Sequence, residues 1–383
     1  MERTVRLFDV YPAESRFEAQ VISCEAREDG KYSIILDKTL FFPEEGGQSS
    51  DTGSIGGAKV EYVFEKEGVI SHIIDEPLSV GASVSGEIDF DERFRKMQNH
   101  TAEHIVSGLI FKNFGFHNVG FHLSRDEMTA DFDGELNAEQ IKFIETEANK
   151  AIFECHAVRG YYPDAEELAG LEYRSKLDIT ENVRIVEIEG VDKCACCAPH
   201  VAYTGEVGQI KLLDFARYKG GVRIHMLCGM DALADYHARY MATAAISAKL
   251  TAPQKELVEA VDRLSAELQE KKAQIARLQL SLAEELLRTL PTGDAPALFF
   301  EDRLDTPARR ALINGAVEKR PLAALFAGDD EKGYAFLMGS QSIDLRPFSK
   351  TMTATLGGKG GGSTTMVQGT LSTTRAKIEE YFN

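Results

Sequence analysis

Two stretches decide the fold of this chain: His100-Thr101-Ala102-Glu103-His104 and Cys196-Cys197-Ala198-Pro199-His200. Residues four apart lie on the same face of a helix, so the two histidine rings of the first stretch can reach one ion. Cys196 and His200 add a thiolate and an imidazole from a second element. Three imidazoles and one thiolate form a ligand set that suits tetrahedral zinc. If one ion takes all four, the fold must bring residues 100 and 200 together.

Two alternatives stay open at this site. Cys194 and Cys197 are competing thiols, so the identity of the sulfur ligand is less certain than its existence. The first stretch also spells H-x-x-E-H, in which Glu103 would be the general base of a zinc peptidase. That class completes its site with a distant carboxylate and gives Cys196 and His200 no task, so we rank it second. Otherwise Glu103 is a solvated carboxylate on a helix face.

Composition limits the class of protein. The chain has 383 residues, 43% of them hydrophobic, which is enough for roughly two to four domains. Three of the six cysteines fall within residues 194–197, a spacing that favours a metal site in a reducing compartment over a disulfide framework. No window approaches about 18 consecutive apolar residues, and the N-terminus does not resemble a signal peptide. We therefore expect a cytoplasmic protein without a membrane span.

The net charge of −18 argues against nonspecific binding of nucleic acid, which usually needs a basic surface. The charge is uneven, because acidic and basic residues balance over residues 291–383 and residues 1–290 carry the whole excess. Any contact with RNA must therefore come from local patches and should be sensitive to salt.

Residues 1–92 are predicted to be strands and turns. Segments 32–37, 58–64 and 80–90 are rich in β-branched and aromatic residues, with glycine-bearing breaks between them. A small β-barrel fits this pattern best.

Residues 93–242 mix helix and strand. Apolar residues at helical spacing predict a helix over 94–114, which carries His100 and His104. We also expect a strand pair around 120–132, a helix over 137–154, and strands over 183–188, 208–215 and 221–227. This arrangement indicates an α/β sandwich.

Residues 243–290 are predicted to be helical. Apolar side chains follow a 3/4 spacing at Leu257, Val261, Leu264, Leu268, Ile275, Leu278 and Leu282. A helix packed on its own domain, an intramolecular hairpin and a dimer coil all fit. Residues 291–383 then alternate, with strands expected over 297–300 and 322–326 and a helix over 307–319. Near the end lies the run Gly357-Gly358-Lys359-Gly360-Gly361-Gly362, after which we expect a helix starting near Ser363.

Two glycine-containing segments have the composition of ligand contacts. Gly46 and Gly47 precede Gln48, whose amide can orient a water or grip a carbonyl. The amides of the 357–362 run could cradle a phosphate or an RNA backbone. An ordinary hairpin loop and a flexible surface loop are the respective alternatives.

Together these motifs resemble the editing region of alanyl-tRNA synthetases and its free-standing relatives, the AlaX-type trans-editing proteins. The resemblance covers essentially the whole chain: a β-barrel with an F-x-x-x-x-G-G-Q loop over 1–92, the zinc-binding "second additional" domain over 93–242, and the helical segment 243–290 with a DHHA1-like domain over 291–383. It implies an α+β multidomain fold and hydrolysis of serine or glycine from mischarged tRNA for alanine. Nothing resembles an adenylation domain, so we expect no tRNA charging. A noncatalytic RNA-binding protein with a structural zinc is the alternative.

The resemblance also assigns residues. It implies that zinc is bound by His100, His104, Cys196 and His200. Gln48 would orient the water or ester, Thr39 would bond the serine side chain, and Gly46, Gly47 and Asp51 would contact substrate. The run Gly357, Gly358, Lys359, Gly360, Gly361, Gly362 would contact tRNA, and the helical segment and tail would form a homodimer. The family commonly reads C-G-G-T-H at the second stretch and threonine at Glu103, so the preferred amino acid stays open.

Overall fold

A computed structural model describes residues 3–123, 128–175 and 183–383. The chain divides into two compact units, Met1–Ala242 and Thr243–Asn383. Both combine helices with sheets, so the mixed α+β architecture predicted from the sequence is present. The link expected within the 120–132 strand pair, residues 124–127, lies outside the described residues.

The first unit contains most of the strands. They are β1 Val5–Arg6, β2 Arg16–Ala26, β3 Tyr32–Leu36, β4 Lys38–Thr39, β5 Gly53–Ile55, β6 Ala58–Lys66, β7 Val69–Ile74, β8 Ser83–Ile88, β9 Asn118–Leu123, β10 Met128–Phe132, β11 Val158–Tyr161, β12 Ile185–Ile188, β13 Asp192–Ala195, β14 Ile210–Tyr218 and β15 Gly221–Cys228. The helices are α1 Phe90–Phe114, α2 Ala138–Glu154, α3 Ala165–Gly170 and α4 Gly229–Leu250, the last of which continues into the second unit.

Six strands close into a barrel in the order β2-β3-β7-β6-β5-β8, with antiparallel neighbours throughout. Strand β2 illustrates the pattern that a closed barrel requires. Its residues Phe17, Ala19 and Val21 point into the barrel core, and the residues between them are exposed. Closure leaves these strands without an open edge. The segments predicted as strands from residues 32, 58 and 80 contribute β3, β6 and β8.

Helix α1 begins directly after the last barrel strand. Asp89 caps it by accepting a hydrogen bond from the Glu92 N–H at 3.2 Å, and Gly115 ends it with a left-handed φ of 72°. The cap explains why the helix starts four residues before the predicted position 94. The middle of α1, from Asn99 to Ile110, is buried without a break, so both of its histidines are shielded from bulk solvent.

Two sheets accompany α1. The larger has the order β14-β15-β10-β9, and the smaller, β11-β12-β13, is antiparallel throughout. Cys196 follows β13 directly, so the small sheet delivers the second stretch to the site. Strand β12 begins at Ile185, two residues after the predicted start.

The second unit is a five-stranded sheet with helices. Its strands are β16 Ala297–Phe300, β17 Ala323–Asp329, β18 Gly333–Gly339, β19 Gly358–Gly362 and β20 Met366–Leu371, in the order β16-β17-β18-β20-β19. Its helices are α5 Leu257–Thr289, α6 Thr306–Ala316, α7 Leu345–Leu356 and α8 Arg375–Phe382. The predicted elements at 297–300, 307–319 and 322–326 are present as β16, α6 and β17.

The helix expected after the glycine run was predicted wrongly. The run itself is an edge strand, β19, and the helix expected near Ser363 is absent, because β20 follows and the next helix begins at Arg375. The run follows the C-terminal end of α7, where the helix dipole disfavours anions. Packing explains the glycines: a Cβ on Gly360 would come within 2.6 Å of the Phe336 ring. The glycines thus permit close packing of this strand, which excludes the alternative of a flexible surface loop.

Candidate metal centre

The two decisive stretches meet in the first unit. The donor atoms of His100, His104, Cys196 and His200 all lie within 4.8 Å of one another. Cys196 Sγ is 3.5 Å from His100 Nε2 and 3.4 Å from His200 Nε2. The three imidazoles are buried. The predicted joining of residues 100 and 200 is therefore present, and the cluster has the donors that a metal ion requires.

Among the three neighbouring cysteines, the geometry selects Cys196 as the sulfur donor. Burial alone would raise the pKa of its thiol, but His100 and His200 together hold that pKa well below its usual range. Burial raises the pKa of both Cys194 and Cys197, and neither belongs to the four-residue cluster. A thiolate is the form that binds metal, so Cys196 is the suitable ligand.

Each imidazole also has a polar neighbour at its other ring nitrogen. The contacts are His100 Nδ1 to Gln48 Oε1 at 3.0 Å, His200 Nδ1 to Thr101 Oγ1 at 3.0 Å, and His104 Nδ1 to Asp192 Oδ2 at 3.1 Å. The last is a close polar contact that is not aligned as a hydrogen bond. A proton on Nδ1 leaves the Nε2 lone pair for a metal, and such outer partners are typical of histidine ligands. The donor set and its surroundings therefore fit zinc.

A tight turn holds Gln48 beside the cluster. Glu45 and Gln48 exchange backbone hydrogen bonds of 3.2 and 3.0 Å, and Gly46 and Gly47 between them have φ values of 64° and 85°. Positive φ at both central positions is the pattern of a type I′ turn. A Cβ on Gly47 would lie 2.8 Å from Phe121 O, so only glycine fits. Gln48 is 1% exposed, and its Nε2 has no hydrogen-bond partner in the described part of the chain.

Thr39 lies inside the barrel and is fully buried. Its Oγ1 is 2.9 Å from His72 Nε2 and accepts a 3.0 Å hydrogen bond from the Phe41 N–H. Burial lowers the pKa of His72 to about 4, so this imidazole is neutral near pH 7. The Thr39 hydroxyl is thus already bonded twice, with one lone pair remaining.

Asp51 has a different environment from the one predicted. Its carboxylate forms a fully buried ion pair with Arg93 of α1 and accepts a 2.7 Å hydrogen bond from the Phe42 N–H. The guanidinium of Arg93 also donates to Leu40 O at 2.6 Å. Asp51 therefore ties the segment before the Gln48 turn to α1, a structural task in place of the expected contact with substrate.

A cavity of about 240 Å³ lies against the cluster. His100, His104 and Cys196 form part of its lining, together with Gly46 and Glu103. A larger hollow of about 520 Å³, beside Asn137 and Phe215, contains none of the four cluster residues. Chemistry therefore singles out the smaller cavity as the candidate site.

Comparison with known proteins shows what the chain is similar to. Residues 183–225 match the threonyl and alanyl tRNA synthetase second additional domain, and residues 10–92 match class II (A) tRNA synthetases. The alanyl-tRNA editing protein AlaX-L of Pyrococcus horikoshii is 28% identical over 99% of this chain and 96% of its own length. Along nearly its whole length, the chain is similar to proteins of the alanyl-tRNA synthetase editing-domain family.

Other relatives are longer than this chain. The alanine–tRNA ligase of Ignicoccus hospitalis is 30% identical over 94% of this chain but 40% of its own length. That of Methanococcus maripaludis strain C5 is 29% identical over 99% of this chain and 43% of its own length. The chain thus spans about two fifths of these ligases. Every helix among the described residues is too short or too polar to cross a bilayer.

Glu103 is not a solvated carboxylate. It is 1% exposed, and its Oε1 accepts hydrogen bonds of 2.6 Å from Ser107 Oγ and from Asn118 Nδ2. Its Oε2 lies 3.9 Å from His104 Nε2. The expectation of an exposed helix-face residue is wrong, because α1 is covered on this side too.

The sequence did not reveal several charged residues at this site. Arg6 and Arg184 line the cavity with Tyr162. The Arg184 guanidinium donates to the carbonyls of Cys196 and Ala198 at 3.1 and 3.0 Å, which fixes the loop carrying the thiol. These residues stand singly in strands and loops, and no motif in the sequence distinguishes them.

Proposed function

We propose that this protein hydrolyses the ester that joins a wrong amino acid, serine or glycine, to the 3′ end of tRNA for alanine, using zinc held by His100, His104, Cys196 and His200. The observation that carries the proposal is that these four residues, from two stretches about 100 positions apart, form one cluster. Three of them line a cavity that Glu45 and Gly46 of the Gln48 turn also border. The full-length similarity to AlaX-L supports it.

The residues around the cluster suggest a division of tasks. Zinc would act as a Lewis acid on the ester or on its attacking water. Gln48 Oε1 would hold the His100 ring, while the buried Nε2 donates to the ester oxygen or the water. Thr39 keeps one lone pair for a serine hydroxyl. A cavity of about 240 Å³ is large enough for a small aminoacyl group but not for a helix.

The remaining contacts with RNA would come from the second unit. The protein would carry out this reaction in the cytoplasm. With a charge of −18, the chain needs a local contact for tRNA, and the 357–362 run with Lys359 is the proposed one. The apolar stripe of α5 would form a homodimer, because Leu264, Leu268, Ile275 and Leu278 are each more than half exposed.

One observation favours a second candidate, a noncatalytic tRNA-binding protein. Four protein ligands close a tetrahedral zinc site, as is usual for structural zinc, whereas catalytic sites usually keep an open position. The peptidase alternative gains no such support, since that class of enzyme gives Cys196 and His200 no task in its site.

Turnover separates these candidates. The protein is incubated with tRNA for alanine charged with serine, glycine or alanine, in parallel with chelator-treated protein and with chelator-treated protein that has received zinc. We expect serine or glycine to be released, alanine to be retained, and activity to be lost and restored with the metal. Intact seryl- and glycyl-tRNA at micromolar protein, together with retained tRNA binding, would favour the noncatalytic candidate.

A further inference from the structure

Asp192 is the outer neighbour of His104 and is itself held rigidly. Its side chain is 2% exposed, and Oδ2 lies 3.1 Å from His104 Nδ1. Arg174 binds both carboxylate oxygens, with Nε to Oδ1 at 2.7 Å and Nη2 to Oδ2 at 2.8 Å. A forked pair of this kind fixes the direction of the carboxylate as well as its charge.

The backbone of Arg174 is fixed as well. Its N–H donates to Lys193 O at 2.8 Å, and its carbonyl accepts from the Ala195 N–H at 2.9 Å. These bonds place Arg174 alongside β13, the strand that begins with Asp192 and leads into Cys196. The guanidinium therefore reaches the carboxylate from a position that the sheet determines.

Gly108 provides the space for Asp192. His100, His104 and Gly108 are spaced four residues apart on α1 and so lie on one face. A Cβ on Gly108 would come within 2.6 Å of both Asp192 Cβ and Val191 O. The missing side chain lets β13 approach α1 closely enough for Asp192 to reach His104.

We propose that Asp192, aimed by Arg174 and seated against Gly108, is a positioning residue that sets the affinity of the cluster for zinc through His104. This inference rests on the proposed metal site but not on the proposed reaction. A carboxylate beside Nδ1 holds the ring orientation and makes Nε2 a stronger donor, and losing such a partner typically weakens metal binding about 10–100-fold.

A competing explanation is that His104, Asp192 and Cys194 form a second metal site, since their donor atoms also lie within 4.8 Å of one another. Arg174 argues against it. Both Asp192 oxygens are bound to the guanidinium, and a divalent ion at the same carboxylate would be repelled by that fixed positive charge.

The test is zinc affinity of the full chain, measured by competition with a chromogenic chelator. We expect Asp192→Asn and Gly108→Ala to weaken binding about 10–100-fold, and Arg174→Lys to weaken it less, because lysine keeps the charge but loses the fork. Asp131→Asn is the matched control. Asp131 makes the same two-bond contact with Arg223, at 2.6 and 2.7 Å, but belongs to the larger sheet.

Cobalt(II) absorption gives a second readout that a loss of stability alone would not change. We expect the thiolate and ligand-field bands to shift in Asp192→Asn and to stay unchanged in Asp131→Asn. Metal-free circular dichroism reports folding, and Arg174→Lys keeps the question answerable if Asp192→Asn does not fold. Wild-type affinity and spectra in Gly108→Ala and Arg174→Lys would overturn the inference. A wild-type chain that binds no zinc would overturn the metal site itself.

Discussion

Gln48 Oε1 lies 3.0 Å from His100 Nδ1, so a turn of the barrel makes a direct contact with the helix that carries two of the cluster imidazoles. The barrel is thereby part of the metal centre. The same glutamine has a buried Nε2 donor that finds no partner among the described residues, and a buried donor is costly unless something binds it. These two properties can be separated by substitution.

Gln48→Glu and Gln48→Leu should behave differently. Glutamate keeps an acceptor for His100 but lacks the amide donor, so we expect zinc to stay bound while deacylation falls by about 10²–10³, the usual effect of removing one aligned donor. Leucine removes both, so zinc affinity should fall as well. Zinc content and single-turnover deacylation measure the two effects. Equal activity in Gln48→Glu and wild type would show that the donor has no part in the reaction.

Replacing the three cysteines one at a time should single out Cys196. We expect Cys196→Ala to lose zinc and deacylation together, by more than the roughly 10–100-fold that loss of an outer partner costs. Cys194→Ala and Cys197→Ala should keep zinc. Metal content by atomic absorption, with deacylation of seryl-tRNA, decides the matter. Zinc retained in Cys196→Ala would show that Cys194 or Cys197 can supply the sulfur ligand instead.

Stability should depend on pH through His72. Burial lowers the pKa of His72 to about 4, against 6.5 for an ordinary histidine. Between these values the unfolded chain binds a proton that the folded chain does not, so stability should fall as the pH drops from 6.5 to 4. At about 1.4 kcal/mol per pKa unit, the full loss is about 3 kcal/mol. Urea unfolding followed by circular dichroism should show a steeper fall in wild type than in His72→Gln, and parallel curves would contradict the assignment.

The pair formed by Asp51 and Arg93 should matter mainly for stability. Removing one partner of a buried ion pair typically costs about 3–5 kcal/mol, so Arg93→Met should destabilise the first unit strongly. Glu87→Gln is the control, because its pair with Arg16 is exposed and should be worth under about 1 kcal/mol. Thermal unfolding compares the two. A small effect of Arg93→Met would argue against this structural role and would favour the earlier prediction that Asp51 contacts substrate.

The apolar stripe of α5 can be tested by oligomeric state. Leu264→Asp combined with Leu268→Asp places charge on the stripe, so a dimer formed there should dissociate while zinc content stays unchanged. Ser265→Asp adds a charge beside the stripe and serves as the control. Sedimentation equilibrium measures the mass. A wild-type chain that is already monomeric would remove α5 as a dimer contact.

The sequence predicted the elements better than their contacts. The spacing of His100 and His104 within an apolar periodicity was enough to place both on one helix. The β-branched and aromatic content of the segments that form the barrel was equally informative, because strand propensity can be read locally. Asp192 and Arg184 could not be found in this way, since their tasks depend on which strands lie beside α1. The strand formed by the glycine run could not be predicted for a related reason. Glycine is compatible with both a flexible loop and close packing, and only the position of Phe336 distinguishes the two.

One more consequence follows from strand β19. It lies at the edge of the five-stranded sheet, and all five of its residues are exposed. Its only side chain is that of Lys359, so most of its outward surface is bare main chain, a template on which another extended polypeptide could pair. A lysine in such a strand is a common protection against edge-to-edge association. The positive charge of Lys359 is therefore placed where it would oppose pairing between the sheet edges of two copies of the protein.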